Sequence, residues 1–160
     1  MIEFRESPRN RIEDAALRRK VTRLLRPPES DLAPVQEAIR QGFEENFDTE
    51  SAGGVPWAPL SPSTVAQRLL LGYGGSHPIL QRSGHYHDTF TQAGNADHVS
   101  TITYNAGLTK VEEGSSDPLA AFLNEGTSKM PERDVLVLSP NALGEVGDAL
   151  VEMVSEILNA

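Results

Sequence analysis

The sequence predicts an α+β domain, a small antiparallel β-sheet packed by several amphipathic helices, with a basic helical arm in front of it. Three observations carry this. Residues 98–105 alternate β-branched positions, turn at Asn105-Ala106-Gly107 and return as a second extended segment at 108–113, the pattern of a hairpin. Several other stretches repeat apolar residues at steps of three and four, the period of a helix with one buried face. A cluster of bases fills 9–26 and stops at Pro27-Pro28.

The elements follow in order. Over 9–26, Ile12, Ala16, Leu17, Val21 and Leu24 form an apolar stripe, with Arg18, Arg19, Lys20 and Arg23 around it. The two prolines end that helix, since proline lacks the amide donor and restricts its predecessor. We therefore divide the chain into an arm, 1–28, and a domain, 29–160. A helix over 32–47 aligns Leu32, Val35, Ile39, Phe43 and Phe47. Ser30 or Asp31 is its expected cap, with Pro34 tolerated in the first turn. Gly53-Gly54 and two prolines predict a loop without regular structure over 48–59. Ser61-Pro62 starts a helix over 62–71, and GYGGSHP at 72–78 is a flexible loop before a short helix at 79–92. After the hairpin, Asp117-Pro118 opens a short helix ending near Gly126, and 135–138 reads as a short strand. Ser139-Pro140 then opens the clearest amphipathic helix, with Leu143, Val146, Leu150, Val154, Ile157 and Leu158 on one face. We expect that helix to pack against the sheet.

Length suits one domain, and a hydrophobic content of 38% is modest, so neighbouring subunits are expected to complete part of the apolar surface. With no cysteine, disulfides, thiolate metal sites and cysteine nucleophiles are excluded. No apolar run reaches the length of a membrane span, and MIEFRESPRNR has no apolar core of a secretory signal, so no membrane association is expected. A net charge of −9 argues against general nucleic-acid binding. The charge is unevenly spread. Residues 1–40 hold 9 bases and 7 acids, a net +2, and residues 41–160 hold 5 bases and 16 acids, a net −11. A basic arm on an acidic body suits head-to-tail contact between copies, although two solvated faces are the commoner meaning of such runs.

Catalytic chemistry finds little support. His85-Tyr86-His87-Asp88, with His77 nearby, is the one cluster that suggests a metal, but helical side chains two apart point to different faces, and there is no HExxH spacing. The glycine-rich 72–78 loop lacks the GK[ST] of a phosphate-binding loop, and no GxSxG or SxxK nucleophile motif is present. We expect no enzyme activity, no catalytic residue, no bound metal and no cofactor. Trp57, the single tryptophan, sits between Pro56 and Pro59. Local packing is its commoner fate, and an intersubunit anchor is the functional one.

Three segments occur in a definite order: Trp57, Pro59, Leu60, Ser61 and Thr64; then Ile79-Leu80 with Ser83-Gly84; then Asn124, Gly126, Met130, Pro131 and Arg133. In this order and spacing, over about 32–158, the chain resembles the phage virion morphogenesis family, the tail-completion and neck proteins of Mu-like and related tailed phages. It departs from that pattern at 119–124, where the family commonly has Tyr-Ala and His-Gln, and the helix at 9–26 lies outside the matched part. The resemblance implies a structural virion protein, assembled in the host cytoplasm and placed at the neck or head-proximal end of the tail. It would complete the tail or join it to the head as a homo-oligomeric ring, hexameric by analogy, beside other neck and tail proteins. An acidic lumen would let DNA pass without binding it. Expected interface residues are Arg18, Arg19 and Arg23 of the arm, Trp57 and Leu60 of the first segment, Tyr73 of the glycine loop and Arg133 of the third segment. The alternatives are an assembly factor that contacts DNA through the arm and an assembly enzyme.

Overall fold

The computed structural model describes residues 8–160. Helix α1 (Pro8–Leu25) ends at the predicted prolines, and Ile12 of its expected stripe lies outside the described side chains. Helix α2 (Glu29–Thr49) starts earlier than predicted, directly after Pro28, which gives no side-chain cap. Asp31 is occupied elsewhere: both its oxygens accept from Arg23, at 2.6 and 2.7 Å, clipping the end of α1 to the start of α2. With the helix starting at Glu29, Asp31 lies within its first turn and not at the cap position.

The predicted face of α2 is buried. Leu32, Val35, Phe43 and Phe47 are all inside, with Ile39 packed at the edge. Phe43 and Phe47 meet Phe90, and Phe47 also meets Trp57 and Tyr86, mostly edge to face at centroid distances of 5.5–6.1 Å. Such pairs add about 0.5–1.5 kcal/mol each beyond the area they bury.

After α2 the chain makes a two-residue hairpin, β1 (Ser51–Ala52) against β2 (Val55–Pro56), turning at Gly53-Gly54. The loop predicted here therefore carries a minimal ladder: both glycines adopt positive φ, so they shape a turn instead of merely breaking structure. Helix α3 (Pro62–Leu70) is capped by Ser61, whose hydroxyl accepts from the Thr64 amide. Helix α4 (His85–Thr91) is shorter than the predicted 79–92, because Leu80 and Gly84 have φ of +61° and +80°, outside the right-handed helical region.

Strands β3 (His98–Asn105) and β4 (Leu108–Ser115) pair in one register from His98↔Ser115 to Asn105↔Leu108. Helix α5 (Pro118–Glu125) is capped by Asp117, and helix α6 (Pro140–Asn159) by Ser139, as the Asp-Pro and Ser-Pro signals predict.

Two expectations are corrected. The sheet is packed by α2 and α4, whereas α6 lies along α2 and touches α1. Small residues decide this: a Cβ on Gly42 would come within 2.7 Å of a Leu138 methyl and 3.0 Å of the Ala142 Cβ, so α2 and α6 approach closely there. Residues 135–138 bend at 135–136 and form no strand. Asn46, fully buried on α2, donates to the carbonyls of Val135 and Val137 at 2.9 and 2.8 Å, and the Gly53 amide donates to Val137. A side-chain amide thus satisfies carbonyls that a partner strand would otherwise have taken.

Candidate functional site

The first and third sequence segments are joined, and the second packs beside them, with Ile79 in the same core cluster as Trp57. Trp57 Nε1 donates to the Asp134 carbonyl at 2.8 Å, while Arg133 Nε and Nη2 donate to the carbonyls of Ala58 and Pro59 at 2.8 and 3.0 Å. The first and third segments therefore hold each other across some 75 positions of sequence. Asn124 accepts from the Val135 amide, and the Arg133 amide donates to the Leu123 carbonyl. Gly126 has φ +70°, and a Cβ there would meet the Glu132 amide at 2.7 Å, so both conformation and space require glycine.

This corrects two of the expected interface residues. Trp57 is buried in the chain's own aromatic core, and Arg133 is 4% exposed with its guanidinium clamped on backbone. Burial lowers the Arg133 pKa below its ordinary value. Neither ring nor guanidinium is free to anchor a neighbour, because each spends its polar atoms fixing the loop at 57–59.

Over this joint lies a cavity of about 400 Å³. Leu60 and Thr64 of the first segment, Leu80 and Ser83 of the second, and Met130 and Arg133 of the third all line it. Tyr73 stands near it, with the Arg82 guanidinium 5.7 Å from its ring centroid. Three cations in the lining, Arg68, Arg82 and Lys129, were not singled out from the sequence. Their scarcity was the available signal: residues 41–160 hold only five bases.

A second surface involves the arm. Arg18, Arg19 and Arg23 come together with Arg26 around a depression on α1. Arg18 pairs with Asp14 at 2.9 Å and Arg23 with Asp31, and Arg26 lies over the Tyr104 ring. The arm is also tied down: Lys20 donates to the Leu158 carbonyl, and Tyr104 to that of Pro27. Yet Leu17, Val21 and Leu25, at successive steps of four, are exposed. On α6 the predicted stripe is only partly used. Ile157 is buried, while Leu143, Leu150, Val151, Val154 and Leu158 remain exposed on one side of the helix. The acids of α6, Glu145, Asp148, Glu152 and Glu156, lie on the opposite side of the helix, and α6 has no base.

The histidines diverge, as helical spacing predicts. His85 approaches Asp97 and Asp117 at 3.4 and 3.6 Å, and His87 approaches Glu44 and Asp88 at 2.9 and 3.0 Å. Among the described residues, no three His, Asp or Glu side chains gather as metal ligands, and no helix is long and apolar enough to cross a membrane. Burial by itself would lower the His87 pKa, but hydrogen bonds to Asp88 and Glu44 outweigh it and raise the net value above the ordinary one. A raised folded-state pKa stabilises fully below the unfolded value of about 6.5, and the gain fades as pH rises through the folded value. We expect the urea midpoint to fall more steeply across neutral pH in the native chain than in His87→Gln. Parallel profiles would contradict this assignment.

Compared with family models, characterised proteins and solved structures, the chain matches none.

Proposed function

We propose that this chain is a structural virion protein of a tailed phage, a non-enzymatic subunit that completes the tail or joins it to the head as a ring around the DNA channel. The ordered segments that resemble the virion morphogenesis family suggest the setting. The observation that carries the reading is the set of large apolar side chains exposed on α6, and on α1, which touches it. A chain that leaves five large apolar side chains of its last helix in solvent is built to be covered.

The charges favour another copy as the cover. α1 has exposed Arg18 flanking its exposed Leu17, Val21 and Leu25, with exposed Arg19 and Arg23 farther round the helix, whereas α6 has four acids and no base. One copy's α1 therefore complements a neighbour's α6. Two different patches meeting head to tail generate a ring when the rotation closes, and six copies is the number suggested by analogy. Partly exposed ion pairs make such a contact sensitive to salt.

Deleting residues 1–28 should leave a folded body that no longer joins heads to tails, read by electron microscopy of particles. Normal yield from the truncated chain would remove the arm from the account. The second reading, a DNA-contacting assembly factor, draws on the arginines gathered around the α1 depression. It requires duplex binding that weakens steeply with salt. Against it stands the chain's net charge of −9.

A further inference from the structure

We propose that the cavity over the joint of the three segments is a binding site for a carboxylate carried on an apolar body. Charge placement is the first ground. Residues 41–160 contain 16 acids and only five bases, and four of those bases, Arg68, Arg82, Lys129 and Arg133, line this one cavity. The fifth, Lys110, pairs with Glu112 on the hairpin at 2.6 Å. No carboxylate lines the cavity, and none of the four cations has an ion-pair partner among the described residues. In a body of net charge −11, this is a concentrated positive site.

The second ground is Arg68. It is 5% exposed, and its Nε is buried without a hydrogen-bond partner. A buried guanidinium without a counter-charge is costly, and native structures rarely keep one without a compensating group. Arg133 differs: its backbone acceptors hold it in place, so it supplies field more than free donors. Arg68 is the residue with donors to spare, and it sits on α3, held at its start by the Ser61 cap.

The third ground is the wall. Leu60, Leu80, Leu119, Leu123 and Met130 surround the cations with apolar surface. A volume of about 400 Å³ falls within the range of small-ligand pockets, which pair apolar walls with a few convergent polar groups. A bare inorganic anion would leave those walls uncovered, and an uncharged apolar molecule would leave Arg68 unpaired. A carboxylate on an apolar group satisfies both. This site does not depend on the virion role, since a single chain carries all of it.

Calorimetric titration of the full chain tests the proposal. The probes are N-acetyl-phenylalanine and phenylacetate, with N-acetyl-phenylalanine amide and inorganic phosphate as controls. At least one acid should bind about tenfold or more tightly than either control, in line with a charge-assisted hydrogen bond. Preference for N-acetyl-phenylalanine points to a peptide terminus as the natural source, and preference for phenylacetate to a small organic acid. Arg68→Met should lose at least tenfold in affinity while its unfolding midpoint stays level or rises, because the variant removes an unpaired buried charge. A merely structural arginine would lower the midpoint instead. Arg82→Met gives an independent reading of the same cation cluster and should also weaken the acids. Failure of both acids to bind, equal binding of acid and amide, or unchanged affinity in the two variants would overturn the proposal.

Discussion

Glu113→Ala should destabilise the chain by roughly 3 kcal/mol, measured by urea unfolding. Removing one partner of a buried ion pair typically costs about 3–5 kcal/mol, because it strands the other charge. The Glu113 side chain has no exposed surface. One of its oxygens lies 2.9 Å from His98 Nε2 and 3.2 Å from Arg40 Nη1, and the other accepts from Ser100 at 2.6 Å. Gln36 extends the network by donating to Ser100, and His98 Nδ1 lies 2.9 Å from the Thr89 carbonyl. One carboxylate thus fastens the β3–β4 hairpin to α2 and α4. The lower end of the range applies because Arg40 keeps Glu37 as a second partner at 2.8 Å. A loss under about 1 kcal/mol, the size of an exposed pair, would contradict this role.

The second large effect concerns assembly. The double substitution Val151→Glu and Val154→Glu should abolish self-association while shifting monomer stability by no more than about 0.5 kcal/mol per site, the usual range for surface positions. Val151 is 66% exposed and Val154 37% exposed, so both lie at the surface of the isolated fold. In the proposed contact both face a neighbour, where a buried unpaired carboxylate is strongly unfavourable. Sedimentation analysis reads the change in mass, and denaturation of the same samples reads stability. Unchanged association would show that α6 is not the contact surface.

How far the sequence revealed this molecule depended on the kind of signal. Local signals did well. Ser61-Pro62, Asp117-Pro118 and Ser139-Pro140 each start a helix, and Asn105-Ala106-Gly107 turns the hairpin, because caps and turns are decided within a few residues. The stripe on α2 is buried as its period requires. Nonlocal outcomes were not legible. The stripe on α6 gave its amphipathicity but not its partner: Gly42 and Ala142 draw it to α2, and most of its apolar side chains stay outside. The segment at 135–138 looked like a strand, but its carbonyls are taken by Asn46, some 90 positions earlier. Trp57 and Arg133 stood out as residues, yet only the three-dimensional joint shows that they brace one another's loops. The cavity's cations were hidden for the same reason, since Arg68, Arg82 and Lys129 are far apart in sequence and unremarkable singly.

We propose that copies of this chain close into a ring through α1 of one and α6 of the next. Cryo-electron microscopy of assembled particles containing the chain tests it most directly. The expected image is several copies, six by analogy, in a closed ring at the junction of head and tail. Each α1 would lie on a neighbour's α6, with DNA passing through an acidic lumen. A single copy per particle, or copies that touch through other faces and leave α6 in solvent, would contradict it.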